Sequence, residues 1–129
     1  MIVRNLTQYS DFDKKGNIYE TLVNSGEIKL LQNHKIVNSI RELEEKYNYI
    51  NRMEIIHYDA MMKYVITAIN PIIKFSNGSV QKPELLYSYE FQNLVLSLLQ
   101  IMKEKDKVYN EGLQEIKSII ILINKEFIL

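Results

Sequence analysis

The sequence predicts an all-α fold, a long antiparallel helical hairpin with a short N-terminal helix packed at its open end, and three observations predict it. Apolar residues recur at spacings alternating between 4 and 3 through two long stretches, from Ile36 to Ala68 and from Phe91 to Ile123. That alternation is the seam of a helix packed along another helix. The only two prolines, Pro71 and Pro83, both fall between the two stretches. So does Ser76-Asn77-Gly78-Ser79, the strongest turn signal in the chain. Two long helices joined by one turn-rich loop bury their stripes against each other only by lying antiparallel.

The elements follow in order along one domain, 1–129, because 129 residues split into two cores would leave each with little apolar surface to bury. Residues 1–16 form a lead-in segment without a period, ordered only where Ile2, Val3, Leu6, Tyr9 or Phe12 docks elsewhere. Residues 17–32 hold a short helix and a turn. Asn17 is its N-cap, Ile18, Leu22 and Val23 make its apolar face, and Ser25-Gly26 closes it, since glycine takes the left-handed conformation cheaply. Ile28, Leu30 and Leu31 then give a single apolar turn.

Residues 33–70 form the first long helix, capped by Asn33. Its seam runs through Ile36, Ile40, Leu43, Tyr47, Ile50, Glu54, His57, Met61, Tyr64 and Ala68. Pro71 ends it, because proline disfavours helical geometry in the residue before it. Residues 71–83 are the loop. Residues 84–129 form the second long helix, with Pro83 and Glu84 in its first turn, where a missing N–H does no harm and an acid meets the positive end of the dipole. Its seam is Phe91, Val95, Leu98, Met102, Lys105, Tyr109, Gly112, Ile116, Ile119 and Ile123. From Ile116 to Ile123, and again at Phe127, Ile128 and Leu129, this helix is apolar almost all round. A helix of that kind needs more than one partner, and the short helix with its Ile28–Leu31 turn is the natural cover.

Composition excludes several function classes. Sixteen Lys and Arg balance sixteen Asp and Glu, so no long-range field draws in phosphates, and sequence-independent nucleic-acid binding loses its main energy source. The absence of cysteine removes disulfides, thiolate chemistry and Cys-based zinc sites. Nineteen isoleucines against two alanines look like an AT-rich genome's bias rather than a functional signature. No stretch approaches the roughly 18 to 20 apolar residues of a membrane span, Ile119–Ile123 being the longest run, and the first residues do not begin a signal peptide. The four glycines include no Gly-x-Gly for a phosphate loop, and two histidines support no Ser/His/Asp constellation. A helix-turn-helix over Tyr19–Leu43 fits the Gly26 turn but offers too few basic residues for DNA.

The sharpest chemical candidate is Glu54-Ile55-Ile56-His57, whose spacing puts a carboxylate and an imidazole on one helical face. Ferritin-like di-metal sites use this spacing, but they use two such pairs with further carboxylates, and here the other histidine is His34, at the far end of the same helix. The reading favoured by the residues is a polar layer in the seam, with Glu54 pairing with Lys105 and His57 at the seam's edge, fixing register at some cost in stability. The alternative is a metal-binding helical protein or enzyme using Glu54 and His57. The runs Glu42, Glu44, Glu45, Lys46 and Lys103–Lys107 read as solvated faces with weak ion pairs. The tyrosines Tyr47, Tyr49, Tyr58, Tyr64, Tyr87, Tyr89 and Tyr109 read as plugs at helix interfaces with wet hydroxyls.

Leu22-Val23-x-Ser25-Gly26-x-Ile28-x-Leu30-Leu31-x-Asn33, followed by Ile36, Val37 and Ile40, resembles an uncharacterised bacterial family carrying a domain of unknown function. Its pattern, Leu-Ile-x-Ser-Gly-x-Leu-x-Leu-Ile-x-Asn, precedes a long helix in single-pass membrane-anchored proteins. The resemblance covers roughly residues 17 to 50 and implies a helical region on the periplasmic face of a bacterial membrane. This sequence departs from the pattern in lacking the membrane helix, so a chain complete as given would be a cytoplasmic relative. The family offers no catalytic residues. The expected function is therefore a non-enzymatic helical interaction module without catalytic residue, cofactor or nucleic-acid partner, reaching a membrane only through a segment absent from this chain. A hairpin of this length buries little of its surface, so self-association or a protein partner is expected through leftover apolar positions such as Ile55, Ile66, Ile73, Leu96 and Ile101.

Overall fold

The computed structural model describes residues 18–127. The lead-in segment, the Asn17 cap and the last two residues, Ile128 and Leu129, lie outside the described residues. What is described is mostly helical, with one two-stranded sheet, and residues of the long C-terminal helix pack on earlier helical residues. In chain order the elements are α1 (Ile18–Asn24), a 3-10 turn (Glu27–Leu30), α2 (His34–Ala60), a π turn (Met61–Val65), α3 (Ile66–Ile69), β1 (Ile73–Lys74), β2 (Ser79–Val80), a second 3-10 turn (Pro83–Tyr87) and α4 (Tyr89–Phe127).

The junction from α1 to α2 follows the local chemistry of the sequence. Gly26 sits at φ 76°, in the left-handed region a side chain would strain. The Ser25 hydroxyl donates to the Leu22 carbonyl at 3.4 Å and accepts from the Glu27 N–H at 3.3 Å, bridging the break. Asn33 then caps α2, its Oδ1 accepting from the Lys35 N–H at 3.0 Å and the Ile36 N–H at 3.4 Å. Two of the N–H groups that every helix start leaves orphaned are thereby satisfied.

The described residues fall into two compact units, with α2 and α4 each contributing to both. One unit holds residues 18–52 and 105–127. Its buried apolar residues are Ile36, Leu43, Ile50, Val108 and Ile119. Gly112 is buried as well, and a Cβ added there would stand 3.5 Å from Ile50 Cδ1. The shallow side of this unit is α1, which buries none of its residues.

The other unit centres on Met53–Glu104. Met61, Val65, Ile69 and Leu98 form its cluster, flanked by Ala60, Phe91, Leu94, Val95 and Met102. Ile72 is buried at the base of the sheet.

Here the seam departs from the expected 4-3 alternation. His57, Met61, Val65 and Ile69 point inward at successive spacings of four, and an α-helix drifts by about 40° at each such step. The wider π turn absorbs that drift. Tyr64 and Ala68, expected in the seam, are displaced by Val65 and Ile69. Tyr64 is 62% exposed and Ala68 only half-buried. The exchange puts larger purely apolar side chains where Ala68 would leave a gap. Inside the π turn the Lys63 carbonyl gains a second kind of partner, the Thr67 hydroxyl at 2.9 Å.

Two boundaries also differ from the sequence expectation. The loop 71–83 contains a hairpin, with Ile73 opposite Val80 and Lys74 opposite Ser79. Pro83 opens a 3-10 turn rather than the long helix, and that turn ends at Ser88 in an extended conformation. The α-helix starts only at Tyr89, because the Ser88 hydroxyl caps it by accepting from the Phe91 N–H at 3.2 Å.

Candidate functional site

Three constellations collect polar side chains. On α2 lie the buried Glu54 and His57, 4% and 1% exposed, one turn apart on one face. Both are partnered within the protein, as is Lys105, which is half-buried. An ionisable group taken this far from water is tolerated only when paired or hydrogen-bonded. Among the described residues no three of His, Cys, Asp and Glu come together at a point where they could hold a metal ion.

The second lies on the unit of residues 18–52 and 105–127. Glu42, Glu45, Glu111 and Glu115 line a groove of about 360 Å³ with Lys46, Tyr49 and Val108. Lys46 Nζ stands 3.5 Å from Glu111 Oε2, a partly exposed pair whose net contribution is small. Tyr49 carries the Arg52 guanidinium 5.2 Å from its ring centroid, a cation–π contact. The charge run Glu42–Lys46 is thus not uniformly a solvated face. Glu44 is buried and faces, with Ile18, Ile40, Leu43, Tyr47, Ile119 and Ile123, a separate apolar cavity of about 180 Å³.

The third lies beside the π turn. In the Met53–Glu104 unit, Ala60, Leu94, Leu98 and Ile101 wall a groove of about 510 Å³, with Tyr64, Glu90, Asn93 and Ser97 supplying its polar atoms. Apolar walls with a few polar groups are the usual make-up of a binding cleft, and π turns recur at such places. The Ser97 hydroxyl is already committed to the Asn93 carbonyl at 2.9 Å.

Glu90 lies in the first turn of α4. Hydrogen bonding to its own backbone N–H, then to the Tyr89 hydroxyl, holds its carboxyl below the ordinary carboxylate value; slight desolvation opposes and Ser88 adds to the lowering. Tyr89 moves the other way, raised by the hydrogen bond to that carboxylate and by its charge. An ionised acid at this position also suits the helix dipole.

Sequence reasoning placed Glu54 and His57 on one face, where the structure has them. It missed the groove, because Tyr64 was assigned to the seam. The run of fours from His57 to Ile69 was the signal that could have revealed it.

Of the five leftover apolar positions, Ile55, Ile66 and Leu96 are exposed, while Ile73 and Ile101 are half-buried. Among the described residues no helix is long and apolar enough to cross a membrane. Compared with known proteins, the chain matches no family model, no curated protein and no solved structure.

Proposed function

We propose that the chain is a non-enzymatic helical interaction module that engages itself or a protein partner through its helix faces. The observation that carries this reading is the exposure of large aliphatic side chains on helices whose opposite faces are already buried. Leu96 is 63% and Ile55 54% exposed, although Leu98 and Glu54 beside them are enclosed. Exposed aliphatic side chains, where they join into a patch, mark association sites. The groove walled by Leu94, Leu98 and Ile101 adds a recess for an apolar side chain of the partner.

The same reading takes α2 and α4 as one long antiparallel hairpin. Its support is the order in which residues meet within each unit. Leu43 shares a cavity with Ile119, Ile50 stands by Gly112, and Ala60 shares the groove with Leu94 to Ile101. Within the unit of residues 18–52 and 105–127, numbers thus rise along one helix as they fall along the other. The resemblance of Leu22–Asn33 to the membrane-anchored family supports placing the module outside a bacterial membrane.

Light scattering coupled to gel filtration tests the association. A dimer across micromolar concentrations that becomes a monomer in Leu96→Glu with unchanged helical circular dichroism supports the reading. A wild-type monomer that binds no protein partner defeats it.

A further inference from the structure

Residues 60–83 form the longest stretch of the chain without an acid, 24 residues in a protein that carries sixteen acids, and they hold Lys63, Lys74 and Lys82. Lys63 lies 3.7 Å from Asp59. Lys74 and Lys82 form no ion pair among the described residues. Lys74 ends β1 and Lys82 follows β2, in a hairpin whose turn exposes Phe75 (60%) and whose second strand exposes Val80.

The hairpin is built to be held out rigidly. Ile72, buried in the unit beneath it, fixes its base, and the Gln81 N–H extends the ladder by donating to the Ile72 carbonyl at 2.7 Å. In the turn the Lys74 carbonyl accepts from the N–H groups of Asn77 and Gly78, with Gly78 at φ 71°. Asn77 Oδ1 accepts from the Ser79 N–H at 3.0 Å and the Ser79 hydroxyl at 2.8 Å, and that hydroxyl accepts from Gln81 Nε2 at 2.7 Å. Much of the turn's polar hydrogen bonding is therefore internal, which lowers the cost of moving the turn out of bulk water.

We propose that this hairpin docks on an anionic lipid surface, with Phe75 entering the interfacial region and Lys74 and Lys82 resting against the headgroups. Charge complementarity selects this occupant. Two cations that form no ion pair among the described residues are attracted to anionic lipid, and the exposed ring of Phe75, next to Lys74, has apolar surface to bury at the headgroup boundary. The neutral net charge of the whole chain does not oppose it, because the attraction acts within a Debye length of the surface.

Flotation of the full chain with vesicles tests this, using equal phosphatidylglycerol and phosphatidylcholine against phosphatidylcholine alone. Binding to the anionic vesicles only is expected, weakened about fivefold for each lysine in Lys74→Gln and Lys82→Gln and about tenfold in Phe75→Ser. All three side chains are exposed, so the fold is not at stake. The chain has no tryptophan, so Phe75→Trp adds a single reporter whose emission should shift to the blue on the anionic vesicles. Absence of binding to phosphatidylglycerol at low salt overturns the proposal, as does binding that none of the three substitutions changes. Heparin retention that depends on the lysines and not on Phe75, without vesicle binding, also overturns it and assigns the lysines to an acidic polymer.

Discussion

The two compact units differ in how they are closed. Around Met53–Glu104, apolar side chains from the π turn, α3 and α4 meet in one cluster, and Ile72, just before β1, is buried as well. In the unit of residues 18–52 and 105–127, α1 buries nothing. A cavity of about 180 Å³ lies between Ile18 and Ile119, and another of about 360 Å³ is lined by Leu22, Leu30, Leu31 and Ile123. A helix of seven residues is too short to be stable by itself. What ends α1 is turn chemistry at Ser25 and Gly26, and what starts α2 after it is the Asn33 cap, rather than burial. The comparison separates stability won from packing from stability won from backbone satisfaction, and it marks α1 as the element that opens first.

Leu98→Ala probes the packed side and has the largest expected effect. It removes a fully enclosed side chain from the cluster and should destabilise by about 3 kcal/mol, read from chemical denaturation. Leu22→Ala on α1 should cost under about 1 kcal/mol by the same measurement. Equal losses would erase the contrast between the units.

Asn33→Ala comes next and tests the cap-dependent side. Loss of two hydrogen bonds to the α2 N-terminus should cost about 1 kcal/mol. Hydrogen exchange should quicken at residues 35–37 before it quickens near Leu98.

Gly112→Ala reverses the sign. The added Cβ would make ordinary contact with Ile50 Cδ1 at 3.5 Å, and alanine is the better helix former. A gain of about 0.5 to 1 kcal/mol is expected, seen as a raised Tm. A loss would show that the packing between Ile50 and Gly112 has no slack.

The smallest effect concerns pH. Because the folded protein lowers the Glu90 carboxyl below its ordinary value, its contribution is fully present above the ordinary carboxylate range and is lost as pH falls through the lowered value. Stability of the wild type and Glu90→Gln, compared from pH 7 down to pH 3, should converge towards the acid end.

Much of the fold was legible because local rules and burial agree along most of the chain. The helix from His34, the stop before Pro71, the left-handed Gly26 and the Asn33 cap all follow from residue type and spacing. Ile36, Leu43, Ile50, Glu54, His57 and Met61 are buried where the 4-3 alternation puts them. What was not legible depends on competition between neighbours. Tyr64 fits the alternation, but Val65, Ile69 and Ile72 together outweigh it, and only their joint burial justifies a π turn. Pro83 and Ser88 both carry helix-start chemistry. The hydroxyl of Ser88 wins the α-helix, leaving Pro83 a 3-10 turn. Of the candidate sites, Glu54 and His57 were visible as a spacing. The groove beside Tyr64 was not, since the 4-3 alternation puts Tyr64 in the seam and only the shift to Val65 leaves it exposed.

The wide turn at Met61–Val65 carries a genetic consequence. Losing one codon there, such as that of Met62, shortens the step from Met61 to Val65 to three. The inward positions then read four, three, four, three from His57 to Ile72, the rhythm of an uninterrupted α-helix. The same loss at Leu43 would spin every side chain beyond it by about 100°. This stretch is therefore where the chain can trade a residue without scrambling what lies downstream, and length variants of the protein should differ here first.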